Sequence, residues 1–279
     1  MRKIRSLIWA FFLTAAMSSY SFAFSYDGLD YIGFSSDGKY LAFENSGSGG
    51  DDVGGEYSTT YYIDTAGNRF AAAPSVFVWD SDTPEKSKAI FAERYKKSVH
   101  ANLRKFGIIR GNTGGLVVLH LLSDWSFIKP IESEHYFYDS DGTRKALLAP
   151  AYKGAVTGSE NGGTEKIIFN SDFDYFSRKT HEFYELTLIS TPLSATGGGA
   201  PYKLELTLED KTKFPVNKLQ ILQKDLDKLP KSRADVLGYR IEQVFIYRDR
   251  IAIFINVFAY GFEEATMSYM VVTGKLSGN

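Results

Sequence analysis

Short apolar runs separated by turn residues recur along this chain, and they constrain its fold more than any other feature. The first two runs, Tyr31–Phe34 and Tyr40–Phe43, flank Asp37 and Gly38, which tolerate the positive φ that tight hairpins need. A third run, Thr59–Asp64, is followed by another turn sequence and can pair back on the first two. The sequence therefore predicts an antiparallel β-meander in this part of the chain.

Later segments continue the same pattern. Leu116–Leu122 is apolar at every position except a histidine, which predicts a central, buried strand. Ile241–Tyr247 and Arg250–Phe258 predict a hairpin whose second strand has isoleucines on one face and phenylalanines on the other. The first hairpins resemble those of β-propeller blades, but no unit repeats every 40 residues or so, as a propeller requires. The predicted fold class is mainly β: an antiparallel sandwich or irregular barrel of about fourteen strands, with propeller-like hairpins and one long amphipathic helix.

That helix is predicted at about residues 84–106. Thr83 is a suitable N-cap residue, Pro84 suits the first helical position, and Gly107 suits the C-cap. Apolar residues recur on one stripe at helical spacing, so this stripe should face the core. The stripe comprises Phe91, Tyr95, Val99, Leu103 and Phe106.

The opposite face of the predicted helix carries a surplus of five positive charges. Such a face can bind an anionic polymer or a lipid surface, although a solvated surface is the more common explanation for a charge run. The basic residues are Lys86, Lys88, Arg94, Lys96, Lys97, Arg104 and Lys105, against Glu85 and Glu93.

The first 23 residues have the features of a signal peptide. Arg2, Lys3 and Arg5 precede the apolar run Leu7–Met17, and small residues stand where a signal peptidase cleaves, after Ala23. No later stretch is apolar enough over about 20 residues to span a membrane. The sequence therefore predicts a periplasmic or secreted protein whose mature part, residues 24–279, is a single β-rich domain.

Mass spectrometry of the exported protein should find Phe24 as the first residue, because cleavage is predicted after Ala23. A chain with an intact Met1 in the membrane fraction would show instead that the segment is an uncleaved anchor.

The composition excludes several classes of function. The chain has no cysteine, which rules out disulfides, thiolate nucleophiles, cysteine zinc sites and iron–sulfur clusters. After cleavage, 29 basic residues stand against 33 acidic ones, a balance that argues against nucleic acid as a partner. Its 42 aromatic residues are spread over nearly every predicted strand, so strand propensity explains them better than a ligand platform for a sugar or peptide.

Two apparent catalytic motifs fail on inspection. Residues 33–39 match part of a phosphate-binding loop, but Tyr40 follows instead of Ser or Thr and no helix is predicted there. His181 and Glu182 begin like a zinc-protease motif, but Glu185 stands where the second histidine belongs. The sequence thus predicts no cofactor and identifies no catalytic residue, although a pair of catalytic carboxylates on separate strands would leave no local signature.

A weak candidate for a metal site lies around the Gly-rich loop 46–55. Glu44, Asp51, Asp52 and Glu56 offer hard oxygen ligands of the kind that calcium prefers. They lack the regular spacing of a calcium loop, so a plain solvent-exposed loop is the favoured interpretation, with no metal bound.

Four stretches, residues 33–45, 56–70, 224–244 and 258–276, resemble a known family. It is the bacterial family of predicted secreted proteins called domain of unknown function 2259. The resemblance reaches both ends of the mature chain. It implies export and a single domain, and it carries over no catalytic residue.

The leading functional hypothesis is a non-catalytic, exported β-domain that binds a protein or a cell-envelope polymer. Its basis is the signal peptide, the β-rich pattern and the failure of every catalytic motif. One alternative is a carboxylate-based hydrolase acting on an envelope glycan, and another is a calcium-stabilised structural domain.

Overall fold

The computed structural model of the chain describes residues 24–49, 55–80, 82–119, 136–138, 144–146, 163–171, 182–193, 201–212, 218–230, 233, 236–260 and 265–276. The predicted signal peptide, Asp51 and Asp52 of the candidate calcium loop, and His120 and His181 lie outside these residues.

The described chain forms sixteen strands and one helix. In chain order they are β1 (Phe24–Tyr26), β2 (Gly28–Phe34), β3 (Tyr40–Gly49), β4 (Gly55–Asp64), β5 (Arg69–Phe70), β6 (Ser75–Asp80), α1 (Glu85–Phe106), β7 (Gly115–Leu119), β8 (Tyr136–Tyr138), β9 (Arg144–Ala146), β10 (Gly163–Asn170), β11 (Phe183–Pro192), β12 (Tyr202–Asp210), β13 (Lys218–Lys224), β14 (Val236–Tyr247), β15 (Arg250–Tyr260) and β16 (Ala265–Lys275).

These strands form three larger sheets and a small hairpin. The central sheet has the order β1-β16-β15-β14-β7, and the outer sheet has the order β10-β11-β12-β13. The meander sheet has the order β2-β3-β4-β5, with β6 also paired to β4, while β8 and β9 pair with each other. All pairs are antiparallel except β1 with β16.

The central sheet is covered on both faces, and the alternation along β15 shows why. Ile251, Ile253 and Ile255 point into a core shared with the outer sheet, whereas Ala252 and Phe254 point into an aromatic core shared with the meander sheet. A strand buried on both faces has no polar side, which matches the almost continuous apolar sequence of β15. The predictions of a mainly β, sandwich-like fold and of this two-faced strand are confirmed, and no described sheet closes into a barrel.

Helix α1 covers the other face of the meander sheet and has the predicted length. Gly107 ends it in the left-handed conformation, with φ of 64°, as predicted. The predicted N-cap is wrong: Thr83 donates its hydroxyl to Asp80 at 2.6 Å, and Pro84 occupies the cap position without a side-chain hydrogen bond.

The predicted apolar stripe of α1 is only partly buried. Val99 and Leu103 are buried in a core with the meander sheet, whereas Phe91 is 41% exposed. The first half of the helix lies against β6, at the edge of the sheet, where Lys88 stands 3.8 Å from the centre of the Trp79 ring. An edge strand offers the helix too little surface to cover its whole stripe.

Strand β7 does not hold the predicted central position among the described strands, and residues 120–122 of the predicted run lie outside the described chain. In the described chain it pairs only with β14 and forms one edge of the central sheet, and its side chains Leu116 and Leu119 are exposed. The apolar composition of β7 indicates a strand in a buried sheet, but it does not specify the position of the strand within that sheet.

The first hairpin turn depends on Gly38, which has φ of 75°. Ser35 and the backbone N–H of Lys39 both donate to the Asp37 carboxylate, at 2.7 and 3.1 Å. We expect Gly38→Val to destabilise the fold by about 1–3 kcal/mol, because a β-branched residue is strained at positive φ. Lys39→Ala should cost under about 0.5 kcal/mol, since Lys39 is exposed. Thermal melts of both variants test this, and equal effects would contradict it.

Candidate functional site

The phosphate-loop-like segment folds as strand, turn and strand, as the sequence analysis predicted. Gly33 lies in β2, and the position that a Cβ would take is 2.5 Å from the carbonyl oxygen of Ile109 and 3.0 Å from that of Asn112. Carbonyl oxygens repel an anion, so the arrangement around Gly33 is unlike a phosphate cradle, which presents N–H groups.

The candidate calcium residues do not come together in the described chain. Glu44 accepts hydrogen bonds from Tyr95 of α1 at 2.6 Å and from Thr60 at 3.2 Å. Glu56 is exposed in β4, where it lies opposite Trp79 in the register with β6. Because Asp51 and Asp52 lie outside the described residues, a calcium site in this loop stays a prediction. Among the residues that are described, no three His, Cys, Asp or Glu side chains are grouped to hold a metal ion.

A polar cluster lies between the central sheet and the meander sheet, and the period of the strands explains its position. Along each strand, a residue two positions away from an aromatic core residue points to the same face of the sheet. Thus Phe43 is followed by Asn45 in β3, and Phe254 is followed by Asn256 in β15. We call this group of residues the interlayer cluster. It comprises Asp27, Asn45, Tyr57, Glu242, Asn256 and Tyr269.

Two hydrogen bonds hold the asparagines of this cluster in place. The Asn45 amide nitrogen donates to the main-chain oxygen of Tyr269 at 3.0 Å. The Asn256 amide nitrogen donates to Glu242 at 2.5 Å, and Tyr269 is the residue that pairs with Asn256 across β15 and β16. Both amides therefore lie beside Tyr269 of the central sheet, although Asn45 comes from the meander sheet.

Two carboxylates face the same tyrosine. Burial raises the pKa of Asp27 to about 6, and Asp27 accepts a hydrogen bond from Tyr57. Burial also raises the pKa of Tyr269, and the negative charges of Glu242 and Asp27 raise it further. The two acids thus belong to one electrostatic site, which is the kind of environment in which functional residues are found.

The interlayer cluster contains buried side-chain oxygens that have no hydrogen-bond partner in the described chain. They are the side-chain oxygens of Asn45 and Asn256. Asn256 is completely buried and Asn45 is 4% exposed. Most buried polar atoms in proteins are paired, so these two unpaired oxygens need an explanation.

The sequence analysis did not identify this cluster. Its members come from five strands and one connection, separated by up to about 240 residues, so no local motif marks them. The one available signal was Asn256, a polar residue in the otherwise apolar run Arg250–Phe258. An amide at a buried position of a strand calls for a partner from another element.

A second candidate site is the outward face of α1. Five basic side chains there are exposed, and among the described residues only Lys97 of these five pairs with an acid, Glu93, at 3.4 Å. Lys88 is not part of this face, because it lies over Trp79 and pairs with Glu85. We call this surface the basic ridge. It comprises Lys86, Arg94, Lys97, Arg104 and Lys105.

In the described part of the chain, α1 is the only helix, and it is not apolar enough to cross a membrane. No curated protein and no solved structure matches the chain. The family model of DUF2259, described as a predicted secreted protein, matches residues 42–275. The match begins within β3, so β1, β2 and most of the first resembling segment, 33–45, lie outside it, whereas the segments 56–70 and 224–244 and nearly all of 258–276 lie inside it. It confirms the resemblance to this family. The chain therefore belongs to DUF2259, a family of predicted secreted proteins.

Proposed function

We propose that the chain is an exported, non-catalytic binding domain that holds an anionic polymer of the cell envelope on the basic ridge of α1. The observation that carries this proposal is the separation of charge. Helix α1 has seven basic and two acidic residues, whereas the rest of the mature chain has 22 basic and 31 acidic residues. A basic surface on an otherwise acidic protein attracts a polyanion and also orients it.

The shape of the ridge supports a polymer as the ligand rather than a small anion. At 3.6 residues per turn, its five side chains fall within roughly a third of the helix circumference. At 1.5 Å per residue, they extend over about 28 Å from Lys86 to Lys105. A line of spaced charges matches the repeating charges of a polymer, and no described backbone N–H groups or carboxylates converge there to enclose one small ligand.

Binding to polyphosphate and dextran sulfate, with neutral dextran as the control polymer, tests the proposal. The mature chain should bind both polyanions, and its affinity should fall steeply with salt because bound counterions are released. The triple variant Lys86→Gln/Lys97→Gln/Arg104→Gln should lower the slope of log K against log salt by about two, at roughly 0.7 per lost contact.

A matched variant removes three exposed lysines from the sheets, Lys166→Gln/Lys218→Gln/Lys275→Gln. It has the same change in net charge, so it should retain most of the affinity if the ridge is the site. Equal losses in the two variants would show that binding depends on net charge alone, and the proposal would then fail.

The alternative function, a carboxylate-based hydrolase of an envelope glycan, is supported by the interlayer cluster. Asp27 and Glu242 act on the same tyrosine, and the pKa of Asp27 is raised to about 6, as suits a general acid. Release of reducing ends from isolated envelope glycan by the mature chain, lost in Asp27→Asn and in Glu242→Gln, would support this alternative. Polyanion binding without any such release would support the binding domain.

A further inference from the structure

Strand β6 is an edge strand that lacks the usual protection against pairing with another chain. It pairs with β4 in register along all of its six residues, and with no other described strand. It contains no lysine, proline or bulge, which are the features that commonly keep an edge strand from pairing. Between Val76 and Trp79, no described residue hydrogen-bonds its open side. The backbone groups there are therefore available to a further strand.

Three other edges of the described sheets are protected. The end strand β13 has a lysine at each end, Lys218 and Lys224, and its register with β12 shifts once. Strand β10 has Lys166 near its middle. The edge of β2 is covered by segment 108–112, and main-chain hydrogen bonds join the two. The contrast with these strands favours a partner for the edge of β6.

One face of β6 is apolar and exposed. Phe77 contacts Tyr95 of α1, so its neighbours Val76 and Val78 point to the opposite face of the sheet. They are 58% and 61% exposed. Cross-strand pairs of β-branched residues stabilise a sheet, so these valines offer packing surface to an incoming strand. The side chains of a partner on this face should therefore be apolar.

Helix α1 runs along β6, and this fixes which side of the helix faces the open edge. Near one end of the strand, the hydroxyls of Ser98 and Ser75 lie 2.7 Å apart, and near the other end Lys88 lies over Trp79. The buried Val99 packs instead in the core with β2, β3 and β4. The side of α1 around Ser98 is therefore the side next to the edge of β6.

That side of α1 is basic and also carries an aromatic ring. At 3.6 residues per turn, Phe91 lies within roughly 20° of Ser98, and Arg94 within roughly 40°. Lys105 lies on the same side, about two turns beyond Ser98. Both acids of the helix lie roughly 140° away from Ser98. An incoming strand thus meets positive charge and no negative charge on its α1 face, which favours acidic side chains there.

A second copy of the chain fits this edge poorly. Two β6 strands paired antiparallel would form one continuous sheet, with both α1 helices side by side on the same face. Each helix has seven basic and two acidic residues, so the two would repel each other. A partner with negative charge avoids this repulsion.

We propose that the open edge of β6 binds an extended peptide segment of a partner protein, with acidic side chains toward α1 and apolar side chains toward Val76 and Val78. The peptide adds a strand to the meander sheet, and its main-chain groups pair with those of β6. The alternation follows from the two faces of the edge, because successive side chains of a strand point to opposite faces. This site goes beyond the polyanion site, with which it shares Arg94 and Lys105.

Titration of the mature chain with labelled peptides at physiological ionic strength tests the proposal. The probe is a blocked peptide of three Glu-Val repeats, which has the length of β6. Peptides of Lys-Val or Glu-Ser repeats should bind about tenfold more weakly or worse, because each lacks one of the two sets of contacts. Binding should also slow amide hydrogen exchange within β6, since an added strand pairs with its N–H groups. Unchanged exchange in β6 would overturn the proposal.

Lysines on the edge should block the peptide. Val76→Lys/Val78→Lys should lower the affinity about tenfold or more, because it removes the apolar contacts and protects the edge. Leu219→Lys/Ile221→Lys makes the same change in charge on exposed residues of β13, so this variant should bind the peptide as the wild-type chain does. Equal affinities of the two variants would show that the peptide does not bind at β6.

Two charge reversals separate the peptide site from the polyanion site. Arg94→Glu and Lys97→Glu should both weaken polyanion binding, because both residues belong to the basic ridge. Only Arg94→Glu should weaken peptide binding, by about fivefold or more, since Lys97 lies roughly 100° around the helix from Ser98. Equal losses of peptide affinity would overturn the assignment of the acidic side chains to this edge.

Sedimentation of the mature chain alone tests the other occupant of the edge. The wild-type chain should be a monomer. A dimer that Val76→Lys/Val78→Lys converts into a monomer would show that a second copy covers β6, and the proposal would then be wrong.

Discussion

Replacing Gly33 by alanine should destabilise the fold by about 3–5 kcal/mol. Gly33 has φ of 136°, where a side chain costs about 1–2 kcal/mol, and its added Cβ would lie 2.5 Å from the carbonyl oxygen of Ile109. The segment 108–112 must then move away from β2. That movement breaks hydrogen bonds worth about 1 kcal/mol each, among them those of Phe34 with Ile109 and Asn112.

Gly111 is a matched control for Gly33. It also has positive φ, 80°, but an added Cβ there would meet no atom within 4 Å. Gly111→Ala should therefore cost only the backbone strain of about 1–2 kcal/mol. Urea unfolding of both variants measures the difference. If the two costs agree within about 1 kcal/mol, the close approach of the segment to β2 contributes little to stability.

Replacing Asp225 by alanine should cost about 3–5 kcal/mol, because it leaves a buried charge without its partner. Asp225 is 2% exposed and receives both terminal nitrogens of Arg233, at 2.7 and 2.8 Å. It also accepts the backbone N–H of Leu204 at 2.8 Å. Removing the Asp225 carboxylate therefore leaves the Arg233 guanidinium and the backbone N–H of Leu204 without their acceptor, at the end of the outer sheet beside the buried Tyr239.

Asp227 provides the control two residues away. Its side chain is 93% exposed, and its ion pair with Lys203 is screened by water, so Asp227→Ala should leave the urea midpoint unchanged. Asp225→Ala/Arg233→Ala completes a double-mutant cycle with the single variants. Removing both partners should cost less than the sum of the two single changes, because neither charge is then left alone. Additive costs would show that the pair is not coupled.

The local elements of this fold were predictable from the sequence because short-range physics fixes them. Asp37 and Gly38 form the predicted turn, since few residues other than glycine adopt φ of 75° without strain. Gly107 ends α1 for the same reason. The alternation of β15 predicted its two faces, because side chains on a strand point to opposite sides.

Predictions that depended on neighbouring elements were less successful. Thr83 has a side chain that suits an N-cap, but its hydroxyl donates a hydrogen bond to Asp80 and does not cap the helix. Leu116–Leu122 has the composition of a central strand, but β7 pairs only with β14 among the described strands. In both cases the sequence specified what the residues can do, and the neighbouring elements of the described chain decided what they do.

The sequence by itself determined the short strands, their turns, the long helix and the absence of cysteine chemistry. Only the tertiary structure decided that the central sheet is covered on both faces, and that Asn45 meets Tyr269 from a strand 224 positions earlier. Turns and alternation arise from the sterics of a few adjacent residues, which the sequence displays directly. Which faces of which sheets pack together depends on burying apolar surface across the whole chain, so the polar residues brought together at such an interface carry no local signature.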